Sequence, residues 1–379
     1  MHAESTGSRR AAGATARLRL LLFSDLLLDR AYEWAPPAIA DARRAAARQA
    51  LVELLGAARA RSVDVVACAG DLFDRRTVAP ATMKWLTTAL RSAGVPVLIA
   101  PGDRDFVGPL GGYTAHRWPD NVVVFQTDRL IGVDVGRGVR IWGAAHTEAH
   151  RWRSFLDRFE VDGGDVNLAL FHGAERSGAN RETGLDPCAE FDEDEIGRAG
   201  IDHALVGHYR RPHLGLLHTY PGAPLAHEFG YGPTGGGVVL TVTESGAVER
   251  ECVAFASPPL NDVSFDLTGA RTNRDALKRV SAAVADANGV VRLRVTGRCR
   301  QEIVLRHDDL TRLAKGADDV LLAWEAEIEG VEELASEPTV RGQFVRDVLE
   351  ERLDPDRRQR ILLIGLRALA GSDVLEAPR

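Results

Sequence analysis

The sequence predicts an α/β fold in which a second, more β-rich sheet packs on the first, followed by a smaller α/β unit. In the first hundred residues, apolar strand-like runs alternate with helical stretches, a pattern typical of α/β sheets. After residue 120 the segments become shorter and richer in β-forming residues, which indicates a second sheet. A chain of 379 residues that is 45% hydrophobic can bury one large domain and smaller additions.

The first strand is predicted at residues 18–24, because nearly every residue there is apolar, as in strands buried on both faces. A helix is predicted at 38–61, where apolar residues recur at helical spacing. The remaining elements of the large domain are a strand at 64–69, a helix at 81–93, and strands at 95–100, 122–126, 139–144, 166–171, 203–206 and 238–242.

The Pro-rich segment 257–260 predicts a domain boundary. A small α/β unit is expected at 261–335, with strands at 263–267, 290–295 and 320–329 and helices at 273–287 and 310–315. The tail, 336–379, holds two amphipathic helices, at 340–353 and 357–370. Their apolar faces either fold onto their own domain or form a docking surface for a partner; they contain Phe344, Val348, Leu349, Ile361, Ile364 and Leu369. Residues 1–16 are predicted to be a disordered lead-in.

The formal net charge of −7 excludes a global basic field that would attract nucleic acid or anionic lipid. Any DNA contact must therefore come from a local patch or from a partner. The four cysteines are far apart and form no CxxC pair, which argues against a zinc knuckle or a disulfide framework and favours a cytoplasmic location. No apolar run reaches the ~18 residues of a membrane span, so no membrane segment is expected.

Polar residues follow five predicted strands, at the edge where open α/β sheets bind ligands. The segments are SDLLLD (24–29), AGDLFDR (69–75), APGDRDF (100–106), LFHGA (170–174) and LVGHYRRPH (205–213). Carboxylates and imidazoles that converge from several strand ends are what a two-metal hydrolytic site needs. We expect the glycines before Asp71, Asp103 and His208 to turn the backbone so that these side chains point inward. The mixed donor set suits manganese or iron, and zinc is compatible with it.

This series resembles the motifs of the calcineurin-like metallophosphoesterases, which carry Asp-x-His, Gly-Asp-x-x-Asp, Gly-Asn-His-Asp/Glu, a lone His and Gly-His-x-His. The corresponding residues are Asp25-Leu26-Leu27, Gly70-Asp71-Leu72-Phe73-Asp74, Gly102-Asp103-Arg104-Asp105, His172 and Gly207-His208-Tyr209-Arg210. Segments 219–242, 261–335 and 339–353 are similar to SbcD-type DNA repair exonuclease subunits, so the resemblance covers about residues 17–370.

The resemblance implies a metallophosphoesterase α/β/β/α sandwich at 17–256, a capping domain at 261–335 and a helical tail at 336–379 as a candidate ATPase-docking segment. It also implies a manganese-dependent DNA exonuclease that works with an SMC-like, SbcC-type ATPase, and a dimer. Within that scheme, the first metal position would use Asp25, Leu27, Asp71 and Arg210, and the second would use Asp71, Asp103, His172 and His208.

Three departures from the family pattern predict an impaired site. Leu27 and Arg210 stand at ligand positions and cannot bind a cation, so at most one ion is expected, with Asp25 as a residual donor. Arg104 stands where the family has its catalytic histidine. An arginine cannot supply a proton near neutral pH, although it can clamp a phosphate. Because losing a positioned acid costs ~10²–10⁴ in rate, weak or absent activity is expected.

Several alternatives stay open at this level. The leading hypothesis is an SbcD-like DNA-processing subunit; the second is a catalytically inactive scaffold that binds DNA or the ATPase; the third is a single-metal phosphatase. Arg75, Arg76 and Arg211 are candidate phosphate or DNA contacts, or they are solvated or paired arginines. His213 either replaces the ligand missing at Arg210 or is solvated. His146, His150 and His203 are expected to be structural, because no family motif falls on them.

Overall fold

A computed structural model describes residues 16–109, 112–149, 153–163, 165–176, 182, 185–231, 235–255 and 257–371. The chain divides into two compact units, the first comprising Met1–His227 and Tyr231–Ser257, the second Glu228–Gly230 and Pro258–Arg379. Nearly all of the predicted lead-in lies outside the described residues.

The first unit contains twelve strands and three helices within the described ranges. In chain order they are β1 (Ala16–Phe23), α1 (Pro37–Ala60), β2 (Val65–Cys68), α2 (Pro80–Arg91), β3 (Val97–Ile99), β4 (Val122–Val124), β5 (Ile131–Asp134), β6 (Val139–Gly143), β7 (Val166–His172), α3 (Glu193–Arg198), β8 (His203–Gly207), β9 (His213–Leu214), β10 (His218–Tyr220), β11 (Gly236–Thr243) and β12 (Val248–Ala254).

These strands form two six-stranded sheets. The first has the order β12-β11-β1-β2-β3-β4, and the second has the order β5-β6-β7-β8-β10-β9. Strands β1 to β4 pair in parallel, as do β6, β7 and β8, so within each sheet the carboxyl ends of these strands lie along one edge. The residues that follow those strands are therefore brought close together.

Side-chain alternation along β1 explains the layering. Leu21 and Phe23 pack with α1 and α2 in one cluster, whereas Leu20 and Leu22 pack in another with residues of the second sheet, such as Leu168. Successive side chains of a strand point to opposite faces, so an almost uniformly apolar strand is buried between a helical layer and a second sheet. Helix α3 belongs to a third cluster, with apolar residues of β7 and β8, which completes the predicted α/β/β/α sandwich.

The second unit is also α/β. Its elements are β13 (Leu260–Asp266), α4 (Asn273–Ala283), β14 (Gly289–Thr296), β15 (Arg298–Cys299), α5 (His307–Leu313), β16 (Ala317–Trp324), β17 (Glu327–Ile328), α6 (Val331–Ser336), α7 (Val340–Glu350) and α8 (Pro355–Leu369). Strands β13, β14 and β16 form a parallel sheet on which α4 and α5 pack.

Helices α7 and α8 pack on each other and on β17 and α6. Val348 is buried, and Phe344 and Ile361 are partly buried against the same cluster. In contrast, Leu349 exposes 39% of its surface, Leu369 47% and Val340 75%. Most of the apolar face of the tail thus serves the unit's own core, and a few large apolar side chains remain on the surface.

The α/β fold class predicted from the sequence is confirmed, and the differences lie in detail. The helix predicted at 273–287 ends at Ala283, and the strand predicted at 320–329 is broken into β16 and β17. The structure adds β5, α3, β9, β10, β12, β15 and α6, which the sequence analysis did not predict. Across the described ranges, every helix is too short or too polar to traverse a bilayer.

We predict that Asp29 stabilises the first unit through its carboxylate. This buried group accepts hydrogen bonds from the Ala79 N–H at 3.0 Å and from Arg48 at 3.0 Å. Burial opposes the charged form, but these contacts and Thr82 outweigh it and lower the pKa of Asp29. Asp29→Asn should reduce the free energy of unfolding at pH 7 by about 1–3 kcal/mol.

The sign of the pH dependence follows from the lowered pKa. The contribution of Asp29 is complete above the pKa of an unfolded aspartate, about 3.9, and is lost as the pH falls further. The gap between wild type and Asp29→Asn in urea unfolding should therefore be constant above about pH 5 and shrink only in more acidic buffer. Asp41→Asn is the control, because that carboxylate is 74% exposed and should give no change. An equal effect of both variants would contradict the prediction.

Candidate functional site

The structure brings the five predicted segments together at the ends of parallel strands. Asp25, Asp71 and Asp103 lie in the loops after β1, β2 and β3, His172 is the last residue of β7, and His208 follows β8. Backbone hydrogen bonds join the first two loops, with the Asp25 N–H donating to the Gly70 carbonyl at 3.0 Å. The five side chains form one cluster, as their strand-end positions predicted.

The donor atoms form two overlapping groups that share His172. Among the described residues, one group contains Asp103, His172, His208 and Cys188, and the other contains Asp25, Asp71 and His172, with ligand atoms within 4.8 Å of one another in each. His172 Nε2 lies 3.1 Å from Asp103 Oδ1 and 3.8 Å from Asp71 Oδ1. The shared His172 imidazole therefore lies between the carboxylates of Asp103 and Asp71.

The buried imidazoles are oriented as metal ligands require. His172 Nδ1 donates a hydrogen bond to the Ala69 carbonyl oxygen at 2.8 Å, and this contact directs Nε2 towards the carboxylates. His172 Nε2 faces Asp103 Oδ1 at 3.1 Å, and His208 Nε2 is buried without a hydrogen-bond partner among the described residues. Buried polar atoms without partners are rare, and a ring nitrogen fixed through its second nitrogen is the usual arrangement of a ligating histidine. The residues present therefore fit a cation.

The charges of the site depend strongly on one another. Burial opposes ionisation of Asp103, but His172 and His208 outweigh it and hold the pKa of that carboxyl far below its usual range. Burial, with Asp103 next in importance, raises the pKa of Asp71 well above normal. Burial also disfavours the charged form of His172, yet the neighbouring carboxylates raise its pKa well above the usual value. The cluster concentrates negative charge, which a bound cation would offset.

Backbone strain is concentrated at the same residues. Asp25, Asp71 and His208 have positive φ angles of 55°, 53° and 111°, and Leu27 has one of 49°. For residues with a Cβ such angles are unfavourable, and they persist where surrounding contacts impose them. Here the Asp25 carboxylate accepts the His208 N–H at 3.1 Å, and the Asp71 carboxylate accepts the Arg104 N–H at 2.9 Å. The Asp71 and Asp25 side chains are thus held in place by backbone N–H groups of other segments of the site.

The expected role of the glycines is correct for one position and different for the other two. Gly70 has a φ of +88°, which allows the turn into Asp71. Gly102 and Gly207 do not have positive φ angles and are required by close approach instead. A Cβ on Gly207 would lie 2.0 Å from the Ala69 oxygen, and one on Gly102 would lie 2.4 Å from Asp71 Oδ1.

The residues that depart from the family pattern provide no donor. Leu27 is buried, and its side chain is apolar. The Arg210 guanidinium lies over the Tyr231 ring at 4.3 Å. Arg104 is 42% exposed, with Nε 3.6 Å from Asp103 Oδ2, where it can meet a phosphate but cannot deliver a proton. The group around Asp25 and Asp71 is therefore short of ligands, whereas the group around Asp103 is not.

Sequence reasoning missed Cys188. Its sulfur lies 4.0 Å from Asp103 Oδ1 and 3.5 Å from His146 Nε2. His146, expected from the sequence to be structural, contacts the site through its Nε2, which donates to the His172 carbonyl oxygen at 2.8 Å. Neither residue belongs to a motif, so no local signal could have found them. His150, expected to have the same structural role, lies outside the described residues.

The three candidate phosphate contacts differ in their surroundings. The Arg75 guanidinium stacks over Phe106 at 4.4 Å, so its direction is set by the protein. Arg76 is 73% exposed and lies 3.6 Å from a carboxylate oxygen of Asp74. Arg211 is exposed. Of the three, Arg75 is the one whose side chain is most constrained.

We predict that Cys188 is a ligand of the ion at Asp103. Adding cobalt(II) to the metal-free chain should give a sulfur-to-cobalt charge-transfer band, because only a coordinated thiolate produces one. Cys188→Ser should abolish the band. Cys252→Ser is the matched control, since Cys252 is exposed on β12, and it should leave the band unchanged. Persistence of the band in Cys188→Ser would show that this thiol does not bind.

We predict that Gly207→Ala disrupts the site through steric overlap. The new methyl group would meet the Ala69 carbonyl and come within 2.8 Å of His172 Nδ1. Overpacking of this kind should destabilise the chain by about 1–3 kcal/mol, and it should weaken metal binding measured by calorimetry. Gly56→Ala, in α1 with nothing within 4 Å, is the control and should be stabilising by about 0.5–1 kcal/mol. A Gly207→Ala chain as stable as wild type would refute the close approach.

Comparison with known proteins identifies the domain. The profile of the family described as "Calcineurin-like phosphoesterase" matches residues 18–210, about half of the chain. An "Uncharacterized metallophosphoesterase YhaO" of Bacillus subtilis is 28% identical over 187 residues, which are 45% of this chain and 43% of that protein, so less than half of that relative's length is matched. The crystal structure of TT1561 of Thermus thermophilus superposes on 63% of this chain and 99% of its own, with a TM-score of 0.40 and 14% identity. The chain belongs to the calcineurin-like phosphoesterase family.

Proposed function

We propose that the chain is an SbcD-like, DNA-processing phosphodiesterase subunit that acts with an SMC-like, SbcC-type ATPase and holds at most one divalent ion at its family site. Members of this family typically bind divalent metals, and two groups of ligand-bearing residues lie at the strand ends of this chain. The observation that carries the proposal is the geometry of Asp103, His172 and His208, which retains a full set of donors while the neighbouring position has lost two.

The arrangement can bind and polarise a phosphodiester but lacks part of the hydrolytic apparatus. An ion at Asp103 would act as a Lewis acid on a phosphate oxygen. Arg104, half exposed beside that carboxylate, would neutralise the phosphate and orient it. With no histidine at this position, the leaving oxygen has no positioned proton donor, so hydrolysis should be slow.

DNA is proposed as the substrate because of the resemblance to SbcD-type subunits, which extends beyond the metal site. The second unit occupies the segment that resembles their capping domain, and α7 and α8 occupy the tail. The arginines near the site give the local positive charge that the acidic chain otherwise lacks: Arg75, Arg76 and Arg211. We propose that they contact DNA phosphates, which carry affinity without sequence information.

The metal is proposed to be manganese by that resemblance, but Cys188 changes the balance. Carboxylate and imidazole ligands suit manganese, whereas a thiolate favours zinc or iron. If Cys188 coordinates, zinc or iron becomes the better fit. A cobalt band that is lost in Cys188→Ser would therefore favour zinc or iron over manganese.

For the ATPase, we propose docking through the exposed apolar residues of the tail helices, Val340, Leu349 and Leu369. The other apolar residues of the tail are occupied with the unit's own core, which narrows the surface available to a partner. A homodimer is proposed on the family resemblance alone.

A second candidate function is a scaffold that binds DNA or the ATPase without catalysis. The specific observation in its favour is the chemistry at two ligand positions, where Leu27 is buried and apolar and Arg210 is stacked on Tyr231. Both side chains therefore make contacts within the protein and offer no ligand to a metal ion. A single-metal phosphatase acting on a small phosphoester is the third candidate, and a chromogenic phosphomonoester in the same assay distinguishes it.

We predict that restoring the family residues restores activity. The variant Leu27→His/Arg104→His/Arg210→His regains two ligands and the proton donor. On linear duplex DNA with manganese, its nuclease rate should exceed that of wild type by at least about 10², the contribution of one positioned acid. The rate of strand cleavage is measured on purified full-length chain.

Asp71→Ala, in both the wild-type and the restored background, is the control for contamination and should lower the rate in each. Equal rates for wild type and Asp71→Ala, combined with no gain in the restored chain, would overturn the enzyme proposal and favour the scaffold. Wild-type cleavage already as fast as that of the restored chain would contradict the claim of impairment.

A further inference from the structure

A second cluster of possible ligands lies in the first unit, apart from the motif residues. Glu175, His213 and His218 each offer a ligand atom, and these atoms lie within 4.8 Å of one another. His213 and His218 belong to β9 and β10, which pair as a short antiparallel hairpin at the edge of the second sheet. Glu175 lies three residues beyond β7, where it forms a bridge with Phe191.

The carboxylate faces both imidazoles. Glu175 Oε2 lies 3.5 Å from His218 Nε2 and 3.8 Å from His213 Nε2. Ligands of a tetrahedral ion with bonds of about 2.0–2.1 Å are separated by roughly 3.3 Å, so only a small adjustment would let all three atoms meet one ion. The distances are too long for hydrogen bonds between these groups.

Two of the facing atoms are buried and unsatisfied. The side chains of Glu175 and His218 are only 9% and 1% exposed, and neither Glu175 Oε2 nor His218 Nε2 has a hydrogen-bond partner among the described residues. Burying a carboxylate oxygen and a ring nitrogen without partners is costly. A cation between them would satisfy both.

A hydrogen bond with Glu193 orients the His218 ring for metal binding. Glu193 Oε1 lies 3.0 Å from His218 Nδ1 and also accepts the Leu217 N–H at 2.8 Å, which anchors it. Because a carboxylate accepts from Nδ1, that nitrogen carries the proton and the lone pair is on Nε2, towards Glu175. A carboxylate behind the distal nitrogen is the usual support of a metal-bound histidine.

We propose that Glu175, His213 and His218 form a further metal site that binds a zinc-class divalent ion, with Glu193 as the supporting carboxylate. Two imidazoles and one carboxylate are a donor set that zinc takes with a fourth position left for water. The His213 side chain is 21% exposed, which gives the ion access from solvent. No family motif includes these residues.

The site would connect the β9–β10 hairpin to the segment after β7. The Tyr209 hydroxyl donates to the Glu175 carbonyl oxygen at 2.8 Å, and Tyr209 directly follows His208. The Tyr220 hydroxyl, on β10, donates to the Gly173 carbonyl oxygen at 2.8 Å. An ion here would therefore reinforce the chain segments on which His172 and His208 are placed.

The test uses a chain from which the family site has been removed. Full-length Asp103→Ala/His172→Gln lacks the residue that both donor groups of the family site share. It is stripped with a chelator and dialysed against zinc, and bound zinc is counted by mass spectrometry. We expect one bound equivalent. Adding His213→Gln or Glu175→Gln should remove it, and adding Glu193→Gln should weaken zinc binding by about 10–100-fold, the effect of losing a supporting carboxylate.

His307→Gln in the same background is the matched control, because His307 also faces a carboxylate, Asp319, at 3.4 Å but has no third donor among the described residues. It should retain the equivalent. His213 is partly exposed, so its variant should stay folded, which circular dichroism checks. The proposal is overturned if the parent chain binds no zinc, or if the folded His213→Gln and Glu175→Gln chains bind it as tightly as the parent. Neither result bears on activity at Asp103.

Discussion

The geometry of the family site depends on the carboxylate of Asp105. This fully buried group accepts four hydrogen bonds: from the N–H groups of Asp71 at 3.1 Å, Leu72 at 2.8 Å and Gly102 at 2.6 Å, and from the Tyr113 hydroxyl at 2.6 Å. One side chain thereby joins the loop after β2 to the loop after β3. Because the backbone of Asp71 is strained, an isolated loop would relax, and the shared acceptor keeps it in place. The close approach of Gly102 to Asp71 follows from the same bonds.

The contacts around this carboxylate also explain why the ligand positions depend on one another. Asp71 accepts the Arg104 N–H and Asp25 accepts the His208 N–H, so each carboxylate orients the backbone of another segment as well as facing the cluster. Replacing a ligand side chain need not dismantle this scaffold, provided that the backbone contacts survive. Leu27 fits this description, since its N–H still donates to the Asp71 carbonyl oxygen at 2.9 Å although its side chain offers no donor. The backbone conformation of the site can therefore be kept even when some of its metal-binding side chains have been replaced.

Much of the architecture could be predicted because the central strands are apolar on both faces and end in short polar motifs. Asp25, Asp71, Asp103, His172 and His208 came together for that reason. Edge strands gave no such signal, since β5 and β12 are mostly exposed and their sequences resemble loops. Cys188 and the Glu175 cluster were missed because their partners come from separate segments, and only the tertiary structure makes them neighbours. Gly102 and Gly207 were expected to bend the chain, but they are required because the backbone at these positions packs closely against Asp71 and Ala69. Only interatomic distances, which the sequence does not contain, distinguish the two explanations.

The electrostatics show how a site with fewer ligands remains compatible with a folded chain. Three carboxylates in one cluster would repel one another strongly if all were ionised without cations. Burial, then the charge of Asp103, raises the pKa of Asp71, while His172 and His208 stabilise the ionised form of Asp103. The ionised form is thus favoured most at the carboxylate that has two imidazoles beside it. Because Leu27 and Arg210 offer no donor at the neighbouring position, the donor atoms of the cluster are concentrated around Asp103.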